Sequence, residues 1–302
     1  MNLPPHAYFE VTRQCNQQCP FCSCTWLEKN AEIRPEMSLD EWKAAAEEMI
    51  ANGVRYIGVT GGEPTLKDGV KELIRFLSAR LDFHYPDDHV LALFTNGKSI
   101  TPDWFELLKE CGAELYTSLP GLQTFGSQTG EAPNGYRKVL PFIYTASERG
   151  IRVSVGITIT KNNLSELYEI CSYAALSGAR SVILNLFKPS GRGKYHPELC
   201  LTREDILFAA KTAEEVASQC GNGIDFGGEF PEWIRQDDYP HLKIENRCAA
   251  VRGTFTIAPD GWIHLCEHDA EGLCSWRDWK SLETSEKWDF FLSTNPQVCP
   301  LF

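Results

Sequence analysis

Three cysteines lie within a short stretch near the start of the chain, at Cys15, Cys19 and Cys22, and Phe21 directly precedes the last of them. Cysteine thiolates are the usual ligands of iron–sulfur clusters, and a cluster that only carries electrons normally has every iron capped by protein. Three thiolates can cap three irons of a four-iron cubane and leave the fourth iron open. The spacing therefore predicts a cluster at which a small molecule binds.

The composition favours metal binding inside a reducing compartment. The chain has 302 residues with 12 cysteines, and 29 Lys and Arg stand against 41 Asp and Glu, which gives a net charge of −12. We find no export signal and no apolar run of about 18 residues, so we expect a cytoplasmic protein without a membrane partner. In such a compartment many cysteines indicate metal ligation more readily than disulfides. The acidic charge repels phosphate backbones and disfavours a nucleic-acid partner.

The elements that must position the cysteines alternate between short apolar runs and amphipathic stretches. Six strand–helix units in series predict an α/β fold with a parallel sheet and right-handed crossovers. A partial (β/α)6 barrel is favoured over an open doubly wound sheet, because no G-x-G-x-x-G fingerprint follows the first strand. In such barrels the chemistry gathers at the carboxyl ends of the strands. The predicted strands are 8–11, 56–60, 90–95, 115–118, 152–159 and 181–186.

A smaller unit is expected beyond the sixth strand. Thr202 begins a long predicted helix, and a Gly- and Pro-rich stretch at 221–231 then indicates a boundary. The sequence Pro259-Asp260-Gly261 between two apolar runs predicts a β-hairpin. We therefore expect a barrel at 1–200, a linking helix and bridging segment at 201–232, and a small hairpin and helix extension at 233–302.

The cysteine triplet resembles the C-x3-C-x-φ-C signature of radical S-adenosylmethionine (SAM) enzymes, in which φ is an aromatic residue. The resemblance implies that Cys15, Cys19 and Cys22 hold a [4Fe-4S] cluster whose open iron is chelated by SAM. One electron from the cluster then cleaves SAM, and the resulting 5′-deoxyadenosyl radical takes a hydrogen atom from the substrate. A zinc knuckle is the alternative, but no Cys or His pair of zinc spacing lies nearby.

Other strand-end segments also match this family and are expected to bind SAM. Gly61-Gly62-Glu63-Pro64 matches its second signature: the glycines let backbone approach the cofactor, and Glu63 or nearby carbonyls accept the methionine ammonium. An ordinary turn is the alternative for the strand-end segments at Thr95-Asn96 and at Ser118, and a solvated side chain is the alternative for Arg192. The predicted SAM contacts are Phe21, Gly61, Gly62, Glu63, Thr95, Asn96, Ser118 and Arg192.

Cysteines near the C-terminus resemble the SPASM and twitch extensions of the same family, in which a hairpin supplies ligands to an auxiliary [4Fe-4S] cluster. A full SPASM extension needs more cysteines, including a C-x2-C pair, so the resemblance implies one auxiliary cluster. The expected ligands are Cys248, Cys266, Cys274 and Cys299. Glu267 or His268 could replace one of them, or one iron could be open, whereas Cys24 is expected to be a structural thiol.

The resemblance implies an enzyme that crosslinks or oxidises a ribosomally made peptide, with a flavodoxin-type reductase as electron donor. Because only fourteen residues precede Cys15, we expect either a separate leader-binding protein or a short substrate. One alternative is a dehydrogenase that acts on a sugar or an aminocyclitol. Another is a non-catalytic iron–sulfur electron carrier, which would not cleave SAM. No His or carboxylate stands out as a general base, so no further catalytic residue is predicted.

Overall fold

The computed structural model describes residues 2–81, 90–248, 250 and 253–294. The chain divides into two compact units: the described part of the first lies within 1–16, 24–115 and 249–296, and that of the second within 17–23 and 116–248. These limits differ from the domain limits that the sequence predicts, which stay a prediction. No helix of the described ranges is both long and apolar enough to cross a bilayer.

Strands and helices alternate along the described chain. The strands are β1 (His6–Glu10), β2 (Tyr56–Thr60), β3 (Leu91–Thr95), β4 (Glu114–Ser118), β5 (Val153–Ile159), β6 (Ser181–Leu186), β7 (Asp225–Glu229), β8 (Leu242–Glu245), β9 (Thr254–Ile257), β10 (Trp262–His264) and β11 (Cys274–Ser275). The helices are α1 (Leu39–Ala51), α2 (Val70–Ser78), α3 (Pro102–Glu110), α4 (Phe125–Thr129), α5 (Tyr136–Glu148), α6 (Leu167–Leu176), α7 (Arg203–Cys220) and α8 (Glu286–Thr294). The alternation from β1 to β6 confirms the predicted α/β class and its six strand–helix repeats.

The sheet of the first unit joins the N-terminal strands to the C-terminal hairpin. Its strand order is β11-β10-β9-β1-β2-β3. Strand β1 pairs in parallel with β2 and with β9, whereas β10 pairs antiparallel with β9 and β11. The β9–β10 turn is closed by a hydrogen bond from the Gly261 amide to the Ala258 carbonyl, which confirms the predicted hairpin.

Both faces of this sheet are filled with aromatic side chains near its centre. On the helix side, Phe9 and Trp42 are fully buried, with ring centroids 5.1 Å apart. On the other side, a Cβ at Gly58 would lie 2.7 Å from Tyr8 and 2.8 Å from Phe94. The glycine thus makes room for two large side chains from the neighbouring strands β1 and β3.

The second unit contains the parallel strand order β5-β6-β7-β8. Alternate residues of β5 point towards the helices and are fully buried; they are Val153, Val155, Ile157 and Ile159. The strand residues between them, such as Gly156 and Thr158, share the opposite face with Ile183 and Asn185 of β6. Polar side chains can therefore be presented on this opposite face.

Strand β7 lies inside the stretch 221–231 in which the sequence predicts a boundary. Its two glycines give it low strand propensity, and such residues usually mark turns. Here the glycines permit close approach of neighbouring strands instead. A Cβ at Gly228 would lie 2.1 Å from the Leu184 carbonyl oxygen, and a Cβ at Gly227 would lie 2.6 Å from the Lys243 carbonyl oxygen. Sequence reasoning misses this strand because glycine signals both uses.

Candidate functional site

The loop after β1 carries the three cysteines of the predicted cluster. The amide of Cys22 donates to the carbonyl of Cys19 across 3.2 Å, which closes a tight turn between these two residues. Cys15 is exposed, Cys19 and Cys22 are half-buried, and all the described cysteines are thiols rather than half-cystines. The loop therefore presents three accessible sulfur donors, which fit three irons of a cubane.

Within the second unit, a turn after β6 supports the cysteine loop. The Nη1 of Arg192 donates to the Cys19 carbonyl across 3.0 Å, and the amide of Gly193 donates to the Cys22 carbonyl across 3.2 Å. Both donors belong to the 3-10 helix Gly191–Tyr195. Arg192, a predicted SAM contact, thus lies against this loop. Gly193 is missed from the sequence because a backbone donor leaves no side-chain signal.

Within the first unit, the Gly61-Gly62 pair lies against the backbone that precedes Cys15. The amide of Gly62 donates to the Thr12 carbonyl at 2.7 Å, and a Cβ at Gly62 would lie 2.3 Å from the Gln14 carbonyl oxygen. Gly61 has φ +134°, a conformation that favours glycine. The close approach predicted at these glycines is thus made to the cysteine loop itself.

Glu63 is a buried junction between two strand ends. Its side chain is 1% exposed. Oε1 accepts hydrogen bonds from the amide and hydroxyl of Thr65 (3.1 and 2.5 Å) and from the Thr95 hydroxyl (2.7 Å). Oε2 accepts from the Asn96 amide at 2.8 Å. Because this carboxylate already has four donors, nearby carbonyl oxygens are the better acceptors for a methionine ammonium.

Asn16 links the cysteine loop to the end of β3. The amide nitrogen of Asn96 donates to Asn16 Oδ1 across 2.7 Å, and Lys98 Nζ donates to the Asn16 carbonyl across 2.9 Å. The structure therefore brings the predicted residues Glu63, Thr95 and Asn96 together and ties them to the residue after Cys15. Asn16 itself carries no sequence signal beyond its position next to a cysteine.

Ser118 lies exposed at the carboxyl end of β4, and Phe21 is half-buried in the cysteine loop. Two residues before Ser118, and hence on the same strand face, Tyr116 accepts a hydrogen bond from the Asn185 side chain at 3.2 Å. A Cβ at Gly156 would lie 2.5 Å from this Tyr116 hydroxyl. Tyr116 and Asn185 are polar residues of this face that sequence reasoning missed, although strand alternation could have found them.

The predicted auxiliary ligands are placed in different surroundings. Cys266 is half-buried and lies two residues after the end of β10. Cys274 is buried in β11 opposite Ile263, and burial raises the pKa of its thiol. Cys248 is buried and belongs to the second unit. Cys299 lies outside the described residues. The structure therefore describes three of the four expected ligands.

Across the described ranges, no three His, Cys, Asp or Glu side chains are grouped so that they could hold one metal ion. The three sulfur donors of the cysteine loop are of the chemical type that binds iron–sulfur clusters.

Comparison with known families finds a match to the Radical SAM superfamily over residues 9–174. That range contains all three cysteines of the loop and covers more than half of the 302 residues. It ends within α6 and leaves the C-terminal cysteines outside.

Two curated relatives extend over most of the chain. The antilisterial bacteriocin subtilosin biosynthesis protein AlbA of Bacillus subtilis is 24% identical over 268 residues, which is 87% of this chain and 55% of the relative. The PqqA peptide cyclase of Rhodopseudomonas palustris is 28% identical over 278 residues, with coverages of 90% and 69%. The chain thus spans about half of one relative and about two thirds of the other.

The fold is also that of a solved structure. SuiB of Streptococcus suis bound to S-adenosylmethionine has a TM-score of 0.73 at 16% identity, covering 97% of this chain and 68% of SuiB. SuiB bound to the precursor peptide SuiA gives a TM-score of 0.71. At this identity the likeness establishes the fold alone.

Proposed function

Because the chain belongs to the radical SAM superfamily, we propose that it cleaves SAM reductively and uses the 5′-deoxyadenosyl radical to modify a ribosomally made peptide. The observation that carries the proposal is the loop of Cys15, Cys19 and Cys22, which lies inside the matched residues 9–174. When bound, the [4Fe-4S] cluster and SAM supply the electron and the radical. The residues of the chain bind, orient and shield them.

In this proposal, Cys15, Cys19 and Cys22 are the three protein ligands of the cluster. Their exposure supports the role, because a thiol must be reachable and must lose its proton to bind iron. The carbonyls of Cys19 and Cys22 are held by donors from the turn after β6, which fixes the directions of both side chains. The turn after β6 thus supports the backbone of two of the three proposed ligands.

The proposed SAM contacts lie at strand ends. Gly61, Gly62, Thr95 and Asn96 line the ends of β2 and β3, and the carbonyl oxygens there are acceptors for the methionine ammonium. Buried Glu63 orients this set through its four hydrogen bonds. The remaining proposed contacts are Phe21, Ser118 and Arg192, all in the second unit.

A peptide substrate is supported by what the relatives are named for. One relative belongs to subtilosin biosynthesis, another is a PqqA peptide cyclase, and SuiB has been solved with its precursor peptide. Since the chain spans only part of these proteins, the peptide substrate is a proposal for this chain. A flavodoxin-type electron donor, a separate leader-binding protein and a cytoplasmic location belong to the same proposal.

We further propose one auxiliary [4Fe-4S] cluster in the C-terminal part, with Cys248, Cys266, Cys274 and Cys299 as ligands. The hairpin supports this proposal, because Cys266 lies two residues after the end of β10 and Cys274 pairs with the same strand. Because a thiol binds iron as the thiolate, deprotonation of these cysteines is expected to accompany cluster binding.

The test is SAM cleavage by the anaerobically reconstituted and reduced protein. We expect 5′-deoxyadenosine from the wild type, quantified by mass spectrometry, and none from the Cys15/Cys19/Cys22→Ala variant. Cys200→Ala removes a different exposed thiol and is the matched control, which is expected to keep the activity. Absence of 5′-deoxyadenosine from the wild type, with functional clusters present, would indicate an electron carrier instead. If the wild type does cleave SAM, a mass change in a peptide encoded beside the gene would identify the substrate.

A further inference from the structure

The residues directly before the cysteine loop are held by the C-terminal hairpin. We name Thr12, Arg13 and Gln14 the pre-cysteine segment. The carboxylate of Asp260, in the hairpin turn, lies 3.4 Å from Arg13 Nη2, and the two side chains are only 9% and 15% exposed. A shielded ion pair of this kind is screened by solvent much less than a surface pair. The hairpin turn therefore holds the side chain that lies two positions before Cys15.

The Asp260 carboxylate is itself fixed within its turn. Its Oδ1 accepts a hydrogen bond from the Trp262 amide at 3.3 Å, and its Oδ2 lies 3.8 Å from Arg34 Nη1. The Arg34 guanidinium lies 4.5 Å from the centre of the Trp262 ring. The backbone carbonyl of Arg34 accepts a hydrogen bond from Arg13 Nη1 at 2.8 Å. The two arginines and the aspartate thus form one connected group.

The pre-cysteine segment is held from a second direction by Glu36. Its Oε1 accepts from the Arg13 amide at 2.7 Å and from the Thr12 hydroxyl at 3.1 Å, and its Oε2 accepts from Lys67 Nζ at 3.1 Å. Burial raises the pKa of Glu36, but the Arg13 amide and the Lys67 ammonium outweigh it and hold that pKa below its ordinary value. Glu36 is therefore ionised at neutral pH and fixes the backbone of the segment.

We propose that Asp260 is a positioning residue for the radical SAM cluster: by holding Arg13, it fixes the backbone from which Cys15 projects. The inference rests on the proposed function, because it concerns the cluster held by this loop. Small displacements of reacting groups cost large factors in rate, so the position of a cluster ligand matters for SAM cleavage. The hairpin that precedes Cys266 would thus act on the first cluster as well.

Asp260→Asn is the sharpest variant, because it keeps an oxygen for the Trp262 amide and removes only the charge that holds Arg13. Asp260→Glu restores the charge and is expected to rescue. The matched control is Arg277→Gln, which breaks the 2.7 Å pair between Arg277 and Glu41. That pair also ties the C-terminal part to the N-terminal part of the first unit, but it does not touch the pre-cysteine segment.

The measurements are iron content, the EPR spectrum of the reduced cluster with SAM, and the rate of 5′-deoxyadenosine formation without substrate. For Asp260→Asn we expect wild-type iron content, an altered EPR spectrum and a rate lowered about tenfold. Asp260→Glu is expected to return both readouts towards wild type, and Arg277→Gln to leave them unchanged. Arg13→Gln should lower the rate at least as much as Asp260→Asn, because it removes the Asp260 pair and also the hydrogen bond to the Arg34 carbonyl. The double variant should fall short of the sum of the two losses, because both substitutions break the Arg13–Asp260 pair.

A wild-type spectrum and rate in Asp260→Asn would overturn the proposal. An equal loss in Arg277→Gln would also overturn it, because the effect would then be general loosening of the extension. Thermal unfolding of each apoprotein shows whether a variant folds, and Arg13→Gln replaces Asp260→Asn if that variant does not. If the wild type forms no 5′-deoxyadenosine, the proposed function fails, while the EPR comparison still decides the role of Asp260.

Discussion

Two regions of the molecule carry the cysteines that are proposed to bind iron, and the thiols of the two regions lie in different surroundings. In the loop after β1 the thiols are exposed or half-buried, and hydrogen bonds fix the backbone around them. In the hairpin region Cys274 is buried in a strand, and burial raises the pKa of its thiol. Since a thiol must lose its proton to bind iron, the burial that raises the pKa of Cys274 opposes its binding to the proposed auxiliary cluster.

The largest effect that separates the two regions is expected from a single ligand of the first. Cys19→Ala should abolish 5′-deoxyadenosine formation and remove about four irons, because the loop cannot hold a cubane with two thiolates. The measurement is iron and sulfide analysis together with product quantification. Cys200→Ala serves as the exposed-thiol control. Retention of activity in Cys19→Ala would contradict the assignment of Cys19 as a ligand of the cluster that cleaves SAM.

A large effect is also expected without touching any thiol. In Gly62→Ala the new Cβ would lie 2.3 Å from the Gln14 carbonyl oxygen, so the pre-cysteine segment must move. We expect SAM cleavage to fall about 100-fold, since the ligand loop loses its arranged geometry. Gly223→Ala is the matched control, because nothing lies within 4 Å of a Cβ there. Equal rates in the two variants would contradict a preformed loop.

Loss of a proposed ligand in the hairpin region should remove iron without stopping SAM cleavage. Cys266→Ala is expected to remove about four irons but to leave 5′-deoxyadenosine formation in the absence of substrate within about threefold of wild type. We propose that the auxiliary cluster takes part in the step after hydrogen abstraction, so modification of the substrate should be lost. The measurement is the ratio of 5′-deoxyadenosine to modified product. Loss of SAM cleavage as large as in Cys19→Ala would contradict the assignment of Cys266 to the auxiliary cluster alone.

The smallest expected effect is on stability and depends on pH. The folded-state pKa of Glu36 is lowered, so its carboxylate adds stability above the ordinary value of 4.5, and this is lost as the pH falls through the folded value. In urea unfolding at neutral pH, the free energy of unfolding of the wild-type apoprotein should be about 1 kcal/mol higher than that of Glu36→Gln. The difference should vanish in acid, and Glu32→Gln, at an exposed pair in the same loop, should show little difference at either pH.

The cysteine loop and the strands around it were within reach of sequence reasoning. Cysteine spacing is a local signal, and strands β2 and β6 occur where apolar periodicity predicts them, at Tyr56–Thr60 and Ser181–Leu186. The Pro259–Gly261 turn also predicted the hairpin correctly. Each of these features depends on residues that are neighbours in the sequence.

The missed features depend on contacts between distant residues. Strand β7 pairs with β6 because glycines allow the backbones to meet, and its sequence alone suggests a turn. Glu63 was predicted as a SAM contact, which stays a prediction, but its hydrogen bonds to Thr95 and Asn96 across more than thirty residues carry no local sequence signal. The Arg13–Asp260 pair spans most of the chain, and nothing in the sequence around either residue indicates the other.

Three cysteines of the first region are proposed to hold a cluster with one iron open to SAM. Electron–nuclear double resonance on the reduced protein, with SAM labelled by ¹⁵N at its amino group, detects binding at that iron. We predict a ¹⁵N coupling to the cluster in wild type, and no such coupling in the Cys15/Cys19/Cys22→Ala variant. A reduced four-iron cluster in wild type that shows no coupling to the labelled nitrogen would contradict it.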